Sequence, residues 1–303
     1  MGDTVTPDGP LEVALPVVLD VVEVWRENAM AVTVFLSREG EREEPGLDMD
    51  AFVPGQFFMV WVPRLDEKPY AVSYVGDERL GVTVQKRGPF STRLCEMKPG
   101  DQLGIRGPYG RGYEIPEELG EGEGAVLVGG GCGMAVLAPL AERLPRVRIV
   151  QGARTADALF YTDRFAEQVL FTDDGTAGRQ GFPTQWLAEK VEEGGVRMVC
   201  TCGPEVMMAG VVDICRSAGV ECQASLERYM KCGIGVCGQC DCDGRRVCVE
   251  GPTFTGEELS EMPSFGKRRR DKTGRMVELG PQDVCPAGPG HPDGLTQNTT
   301  DDR

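Results

Sequence analysis

AVLVGGGCGMAVLAPL, residues 125–140, reads as a buried strand, a glycine-rich turn and the start of a helix. Gly129, Gly130, Gly131 and Gly133 stand between the apolar run and the helical MAVLAPLAERL. In a doubly wound sheet this turn is where a pyrophosphate lies. Small residues let the backbone approach it, and the helix N-terminus offers N–H groups and a partial positive charge. The G-x-G-x-x-G spacing is not met, and a tight turn without a ligand would use the same glycines.

Downstream, the same alternation continues. RVRIVQGA (146–153) reads as a strand and TADALFYTDRFAEQ (155–168) as a helix. VLFTDD (169–174) reads as a strand, PTQWLAEKVEEG (183–194) as a helix, VRMVCTCGP (196–204) as a strand and EVMMAGVVDICRSAG (205–219) as a helix. Strands alternating with helices predict a parallel, doubly wound α/β unit over residues 121–222. Cys202, in Cys-Gly-Pro at a strand end, falls on the carboxyl edge of that sheet, where ligands lie. It would serve equally as a small buried residue. Asp173 and Asp174 end another strand, placed either to face a ribose or to cap the next turn.

Upstream the rhythm is different. LEVALPVVLDVVEV, AMAVTVFLS, QFFMVWVP, YAVSYVG and LGVTVQKRG, within residues 11–113, are short and rich in Val, Phe and Tyr, with Pro/Gly/Asp turns between them. That pattern predicts an antiparallel barrel or sandwich.

Beyond the sheet lies MKCGIGVCGQCDCDGRRVC, residues 230–248, with five cysteines in nineteen residues. Cys232, Cys237 and Cys240 are spaced C-x4-C-x2-C, and Cys248 follows after seven intervening residues. A [2Fe–2S] cluster takes four thiolates around two irons, and the plant-type spacing supplies them from one loop and a later cysteine. Gly233, Gly235 and Gly238 allow the close backbone approach that side chains would block. A zinc ribbon prefers two separated C-x2-C pairs, and only Cys237 and Cys240 form one. Disulfides and unliganded buried thiols are the other readings. Cys242 competes with Cys248 as the fourth ligand. Residues 256–303 form a C-terminal extension, charged to about 285 and then polar and disorder-prone.

The chain has 303 residues, a net charge of −16 and one histidine, His291. The acidic balance argues against nucleic acid as a partner. No run of eighteen apolar residues suggests a membrane span, and the acidic, proline-broken start lacks a secretion signal, so the expected location is the cytoplasm. One histidine leaves almost no material for a Cys/His zinc site or a Ser–His–Asp triad.

KPYAVS, GPYGRGY, VGGGCG, QGARTADAL, FTDDGTAGRQGFPT, CGPEVMM and SLERYMKCGIGVCGQC…VCVEGPTF together resemble one family. It is the electron-transfer subunits of type B dihydroorotate dehydrogenase, within the ferredoxin–NADP reductase superfamily, and the resemblance covers about residues 11–255. It implies an FAD-binding barrel (11–113), an NAD-binding α/β domain (121–222) and a [2Fe–2S] module (223–255). The family's Arg-Pro-x-Ser flavin motif maps to Lys68, Pro69, Tyr70 and Ala71. Lys68 keeps the charge but loses arginine's fork, and Ala71 loses a hydroxyl that Ser73 stands near. A second flavin segment maps to Val84, Gln85 and Lys86, and a third to Ser91 and Thr92. Val136 replaces a common proline after the glycine turn. Cys202 maps to the Cys-Gly-Pro near the nicotinamide, and Cys232, Cys237, Cys240 and Cys248 to the cluster ligands.

The implied chemistry is electron transfer from dihydroorotate, oxidised in a separate catalytic subunit, through the cluster and FAD to NAD+. No catalytic acid–base residue is needed in this chain. The expected assembly is a heterotetramer of two plus two, serving pyrimidine synthesis. The residues do not separate NAD from NADP. The alternative partner is a ferredoxin:NADP oxidoreductase, sulfide dehydrogenase or hydrogenase complex. A zinc-stabilised binding module without redox activity is the reading from a different class.

Overall fold

The computed structural model describes residues 15–38, 49, 52–165 and 167–280. His291, the polar C-terminal stretch and residues 11–14 lie outside the described residues.

The N-terminal half begins with β1 (Val17–Asn28), β2 (Ala31–Ser37), β3 (Phe57–Val62), β4 (Asp66–Val75) and β5 (Arg79–Gln85). The short helix α1 (Pro89–Cys95) and β6 (Gln102–Tyr109) follow. In β1, buried Val17, Leu19 and Val21 alternate with exposed Val18, Asp20 and Val22. That period of two puts one face inward. The strands close into an antiparallel barrel in the order β1-β2-β5-β4-β3-β6, around Leu19, Val34, Phe58, Val60, Val82 and Ile105. The basic turn at KRGPFST continues into α1, because Pro89 pre-sets helical φ and Phe90 and Leu94 bury into the barrel core.

The second half runs β7 (Ala125–Gly130), α2 (Met134–Arg143), β8 (Arg148–Ala153), β9 (Gln168–Thr172), β10 (Arg179–Gln180), α3 (Pro183–Glu193), β11 (Met198–Cys202), α4 (Glu205–Ala218) and β12 (Glu221–Ser225). Next come the small hairpin β13 (Asp241–Cys242) and β14 (Arg245–Arg246), α5 (Val247–Glu250), β15 (Thr253–Thr255), α6 (Gly256–Ser260), and a hairpin of β16 (Arg268–Arg270) with β17 (Met276–Glu278). The main sheet has the order β10-β9-β8-β7-β11-β12-β15. Its strands are parallel except β15, which pairs antiparallel with β12. The chain steps outward from β7 to β8 and β9, then restarts on the other side with β11 and β12. The order reverses between β7 and β11, and a ligand crevice opens at that point.

Two local expectations fail. Residues 155–168 are not a helix; only a single 3-10 turn, Ala156–Ala158, forms there. The buried Gln151 amide takes the place of a helical ladder. Its Nε2 donates to the Phe160 carbonyl (2.8 Å), and its Oε1 accepts from the Phe160 N–H (3.2 Å). This lays Leu159, Phe160 and Tyr161 into the core. The strand-like VCVEGPTF is split: Val247–Glu250 form the helical turn α5, and only Thr253–Thr255 join the sheet. Among the described residues, no helix is long and apolar enough to cross a membrane.

Candidate functional site: one cleft and a thiol cage

A cleft of about 340 Å³ opens between the barrel and the carboxyl edge of the sheet. Lys68, Pro69, Tyr70 and Ala71 of β4 line one wall, with Gln85, Arg87 and Ser91. Cys132, Ala135, Val136 and Cys202 line the opposite wall, and Glu227, Arg228 and Met230 close the end toward the cysteine loop. The Tyr70 ring stacks on Phe90, with centroids 6.2 Å apart and planes 20° from parallel. Lys68 pairs with Asp66 (2.5 Å) and sits 5.3 Å from the centre of the Tyr229 ring. A flat aromatic wall with two cations, Lys68 and Arg87, fits a flat ring carrying phosphates.

The other flavin-segment residues behave differently. Ser73 is fully buried and bonds to Thr83 and the Gly81 carbonyl instead of replacing the hydroxyl absent at Ala71. Val84 points into the barrel core, Lys86 is exposed, and Thr92 is half-buried in α1 outside the cleft lining. The Ser91 hydroxyl accepts from the N–H groups of Arg87 (2.8 Å) and Gly88 (2.9 Å), which shapes the turn entering α1. Arg87 was missed in the sequence: it sits in a run of basic residues with nothing to mark it. Its guanidinium lies 2.9 Å from Gln85 Oε1 and 3.4 Å from Cys132 Sγ, bridging the barrel and the glycine turn.

At the switch point Gly129 faces Cys202 across adjacent strands. A Cβ on Gly133 would stand 2.2 Å from the Cys202 carbonyl oxygen, so only glycine lets the turn of β7 and α2 sit against the end of β11. A Cβ on Gly130 would meet Pro204 at 2.4 Å, and Gly131 has a φ of +51°. The glycines therefore shape the crevice by packing as well as by backbone access. Gly133→Ala is expected to cost about 1–3 kcal/mol of stability through overpacking, read as a lowered midpoint in thermal unfolding. An unchanged midpoint would mean that the turn gives way freely. Cys202 is buried with its thiol 3.6 Å from the Ser225 carbonyl, and burial raises its pKa well above the usual thiol value. Asp174 caps the turn after β9, accepting from the Thr176 N–H (3.0 Å) and hydroxyl (2.6 Å).

The cysteine loop places its thiols in two touching pairs, Cys232 with Cys237 and Cys240 with Cys248. Backbone N–H groups point at the sulfurs: Gly235 to Cys248 (3.1 Å), Cys248 to Cys240 (3.4 Å) and Cys237 to Cys232 (3.5 Å). Gly235, at φ +78°, turns its N–H inward in a conformation that a side chain would resist. Burial raises the Cys232 thiol, but the N–H groups of Cys237, Ile234 and Val236 outweigh it and bring the pKa down to about 7. Contact with Cys248, partly opposed by burial, lowers Cys240 to about 6. Two pairs of thiols fit a cluster with two ligands per iron; Cys232 and Cys240 are lowered toward thiolate, while contact with Cys240 and burial hold Cys248 up. Among the described residues, no three His, Cys, Asp or Glu side chains gather where one metal ion could sit.

Cys242 faces away from the pairs. It is buried, with its sulfur 3.1 Å from Arg228 Nη2. The gap between Cys240 and Cys248 is short because Asp243 (φ +52°) and Gly244 (φ +89°) close the β13–β14 hairpin in two residues. The loop is also clamped to the barrel. Arg106 of β6, held by Glu67 at 2.6 and 2.7 Å, donates to the Cys232 carbonyl at 2.8 Å.

Comparison with known proteins agrees with this geometry. Residues 227–260 match the iron-sulfur cluster binding domain of dihydroorotate dehydrogenase B. The chain is 42% identical over 275 residues to a protein of Methanothermobacter thermautotrophicus named "Probable dihydroorotate dehydrogenase B (NAD(+)), electron transfer subunit", covering 87% of this chain and 97% of that protein. A protein of the same name from Methanocaldococcus jannaschii is 37% identical, with 86% and 98% covered. Among solved structures, that of an NADH-dependent reduced ferredoxin-NADP oxidoreductase superposes with a TM-score of 0.68 at 27% identity, covering 85% of this chain and 94% of that one. Phthalate dioxygenase reductase shares the fold, with a TM-score of 0.56 at 16% identity, covering 74% of this chain and 85% of that one. The chain belongs to the family of dihydroorotate dehydrogenase B (NAD+) electron transfer subunits.

Proposed function

We propose that this chain is the redox conduit of a cytoplasmic dihydroorotate dehydrogenase. Electrons from a catalytic partner enter at a [2Fe–2S] cluster on Cys232, Cys237, Cys240 and Cys248, and leave as a hydride on NAD+. The observation that carries this reading is the single cleft. Barrel residues, the glycine-turn wall and the segment leading into the thiol cage all line it.

FAD, bound there, supplies the exchange between one-electron and two-electron carriers. The chain's own residues do the positioning. Tyr70, backed by Phe90, offers a ring surface, and Lys68 and Arg87 supply positive charge for phosphates. The glycine turn and the start of α2 present N–H groups at the switch point for the nucleotide. Cys202, buried and protonated, contributes a small neutral wall. Arg106 fixes the cage against the barrel, which holds the transfer distance constant. Val236, 67% exposed beside exposed Cys237, leaves an apolar rim on the outer side of the cage where the catalytic subunit docks. The assembly in this reading is two catalytic and two electron-transfer subunits, and the working division of the chain is 11–113, 121–222, 223–255 and 256–303.

The test is co-expression with the candidate catalytic subunit, followed by anaerobic assay of NADH oxidation. Orotate-dependent oxidation, absent without the partner, is the expected result. The likeness to the ferredoxin-NADP oxidoreductase favours a second reading, with reduced ferredoxin as the electron source. Turnover that ignores orotate and follows reduced ferredoxin would replace the first reading by the second.

A further inference from the structure

A line of buried hydroxyls runs along the outer face of the barrel beside the cleft, from strand to strand. Thr83 of β5 lines the cleft. Its Oγ1 lies 2.7 Å from Thr33 Oγ1 on β2, 2.6 Å from Ser73 Oγ on β4 and 2.6 Å from the hydroxyl of Tyr161. Thr33 Oγ1 lies 2.5 Å from Glu27 Oε1 on β1. Thr33 and Ser73 are fully buried, while Glu27 is half-buried at the outer end of the line. Three hydroxyls meeting at Thr83, sealed between the outer face of the barrel and Tyr161, are costly to keep unless each proton has an acceptor.

The geometry provides an acceptor in both directions. With Glu27 ionised, Thr33 donates to the carboxylate, Thr83 donates to Thr33, and Tyr161 donates to Thr83. With Glu27 protonated, the carboxyl donates to Thr33, Thr33 to Thr83, Thr83 to Ser73, and Ser73 to the Gly81 carbonyl (3.1 Å). The line can therefore reverse its polarity without stranding a donor.

The chemistry of the proposed function, on which this inference rests, needs such a path. NAD+ becomes NADH by taking two electrons and one proton. A cluster delivers electrons alone, so one proton must reach the reacting atoms in the cleft in each turnover, or leave them in the reverse direction. We propose that Glu27, Thr33 and Thr83 form the proton relay that connects the cleft with solvent. The Glu27 O–H bond breaks as the proton moves to Thr33. The Thr33 hydroxyl proton moves to Thr83, and Thr83, rotating its own hydroxyl proton away from Ser73, passes it to the acceptor in the cleft. Water then reprotonates the Glu27 carboxylate.

Burial holds the Glu27 pKa above the usual carboxylate value, against the Thr33 hydrogen bond, the positive charge of Arg164 and the Tyr74 hydroxyl at 3.5 Å. Arg164 is in turn paired with Glu142 (2.5 Å), so part of its charge is offset. A carboxyl held upward in this way keeps its proton to higher pH than an exposed one.

The test uses the full chain loaded with flavin and cluster, in wild-type, Glu27→Gln, Thr33→Val and Thr33→Ser forms, each checked for flavin and cluster absorbance. The first readout is the infrared carboxylic C=O band that Glu27→Gln removes. In Thr33→Val that band should change frequency and titrate at higher pH, because a bond that lowers the pKa is lost. The second is steady-state NADH oxidation with ferricyanide, expected to fall about ten- to a hundredfold in Glu27→Gln and Thr33→Val. Single-turnover NADH oxidation should hold its rate, because the hydride brings its own hydrogen. Thr33→Ser should restore both readouts. Wild-type turnover in Glu27→Gln and Thr33→Val, or an unmoved band in Thr33→Val, overturns the relay. Failure of the wild-type chain to oxidise NADH overturns instead the function on which the relay rests.

Discussion

Cys248→Ala is expected to strip the iron–sulfur chromophore, whereas Cys242→Ser keeps it. Both cysteines are candidates for the thiol beside Cys240, but only Cys248, beyond the β13–β14 hairpin, touches Cys240 and receives the Gly235 N–H. Removing that thiol leaves three ligands for a centre that takes four, so iron should drop from about two per chain to near zero. The Cys242 thiol meets the Arg228 guanidinium, a contact that a serine hydroxyl also makes. The measurement is iron content with the visible and electron paramagnetic resonance spectra of anaerobically purified chains. The functional signature separates the sites further. Cys248→Ala should retain NADH oxidation with ferricyanide, which can draw electrons from flavin, and lose orotate-linked turnover by orders of magnitude. Iron retained in Cys248→Ala and lost from Cys242→Ser would reverse the ligand assignment.

The second large effect concerns the pair behind Cys242. Arg228 and Glu205 form a two-pronged ion pair at 2.5 and 2.8 Å, with side chains only 2% and 8% exposed. Glu205 also accepts the Gly266 N–H at 3.0 Å. One carboxylate thus joins the start of α4, the irregular segment between β12 and the cage, and the segment before β16. Arg228→Met should cost about 3–5 kcal/mol, because it leaves a buried carboxylate without its cation. The double variant Glu205→Leu/Arg228→Met should recover much of that loss, since it removes both desolvated charges together. Denaturant unfolding of the two single variants and the double variant measures the coupling. Additive losses would show that the pair is not a unit.

The architecture was legible where periodicity is strong. Alternation in β1 and the strand–helix rhythm from Ala125 reflect burial of one face, which the chain writes into its own sequence. The cage was legible for a different reason, since ligand spacing on a tight glycine loop leaves few geometries. Residues 155–168 misled because their composition suits a helix, while a tertiary partner, the Gln151 amide, captures the backbone. No local signal reveals a hydrogen bond of that kind. Arg87 and the hydroxyls of Thr33 and Thr83 were invisible for the same reason: their meaning comes from neighbours far away in sequence. Arg228 occupies the Cys242 thiol, and the proposed assignment takes Cys248 as the fourth ligand on that contact, which no spacing reveals.

The return of the chain to the sheet has a consequence for assembly. β12 leaves the sheet at Ser225 and β15 rejoins it at Thr253, directly opposite. The whole cage is an excursion whose two ends are stitched together by backbone pairing. The entropy of closing that loop is met by the sheet rather than by iron. Arg106 and the Glu205–Arg228 pair then pin its middle. The cluster ligands therefore have only the interior of this loop to arrange, since its two ends and its entry are held by the polypeptide itself.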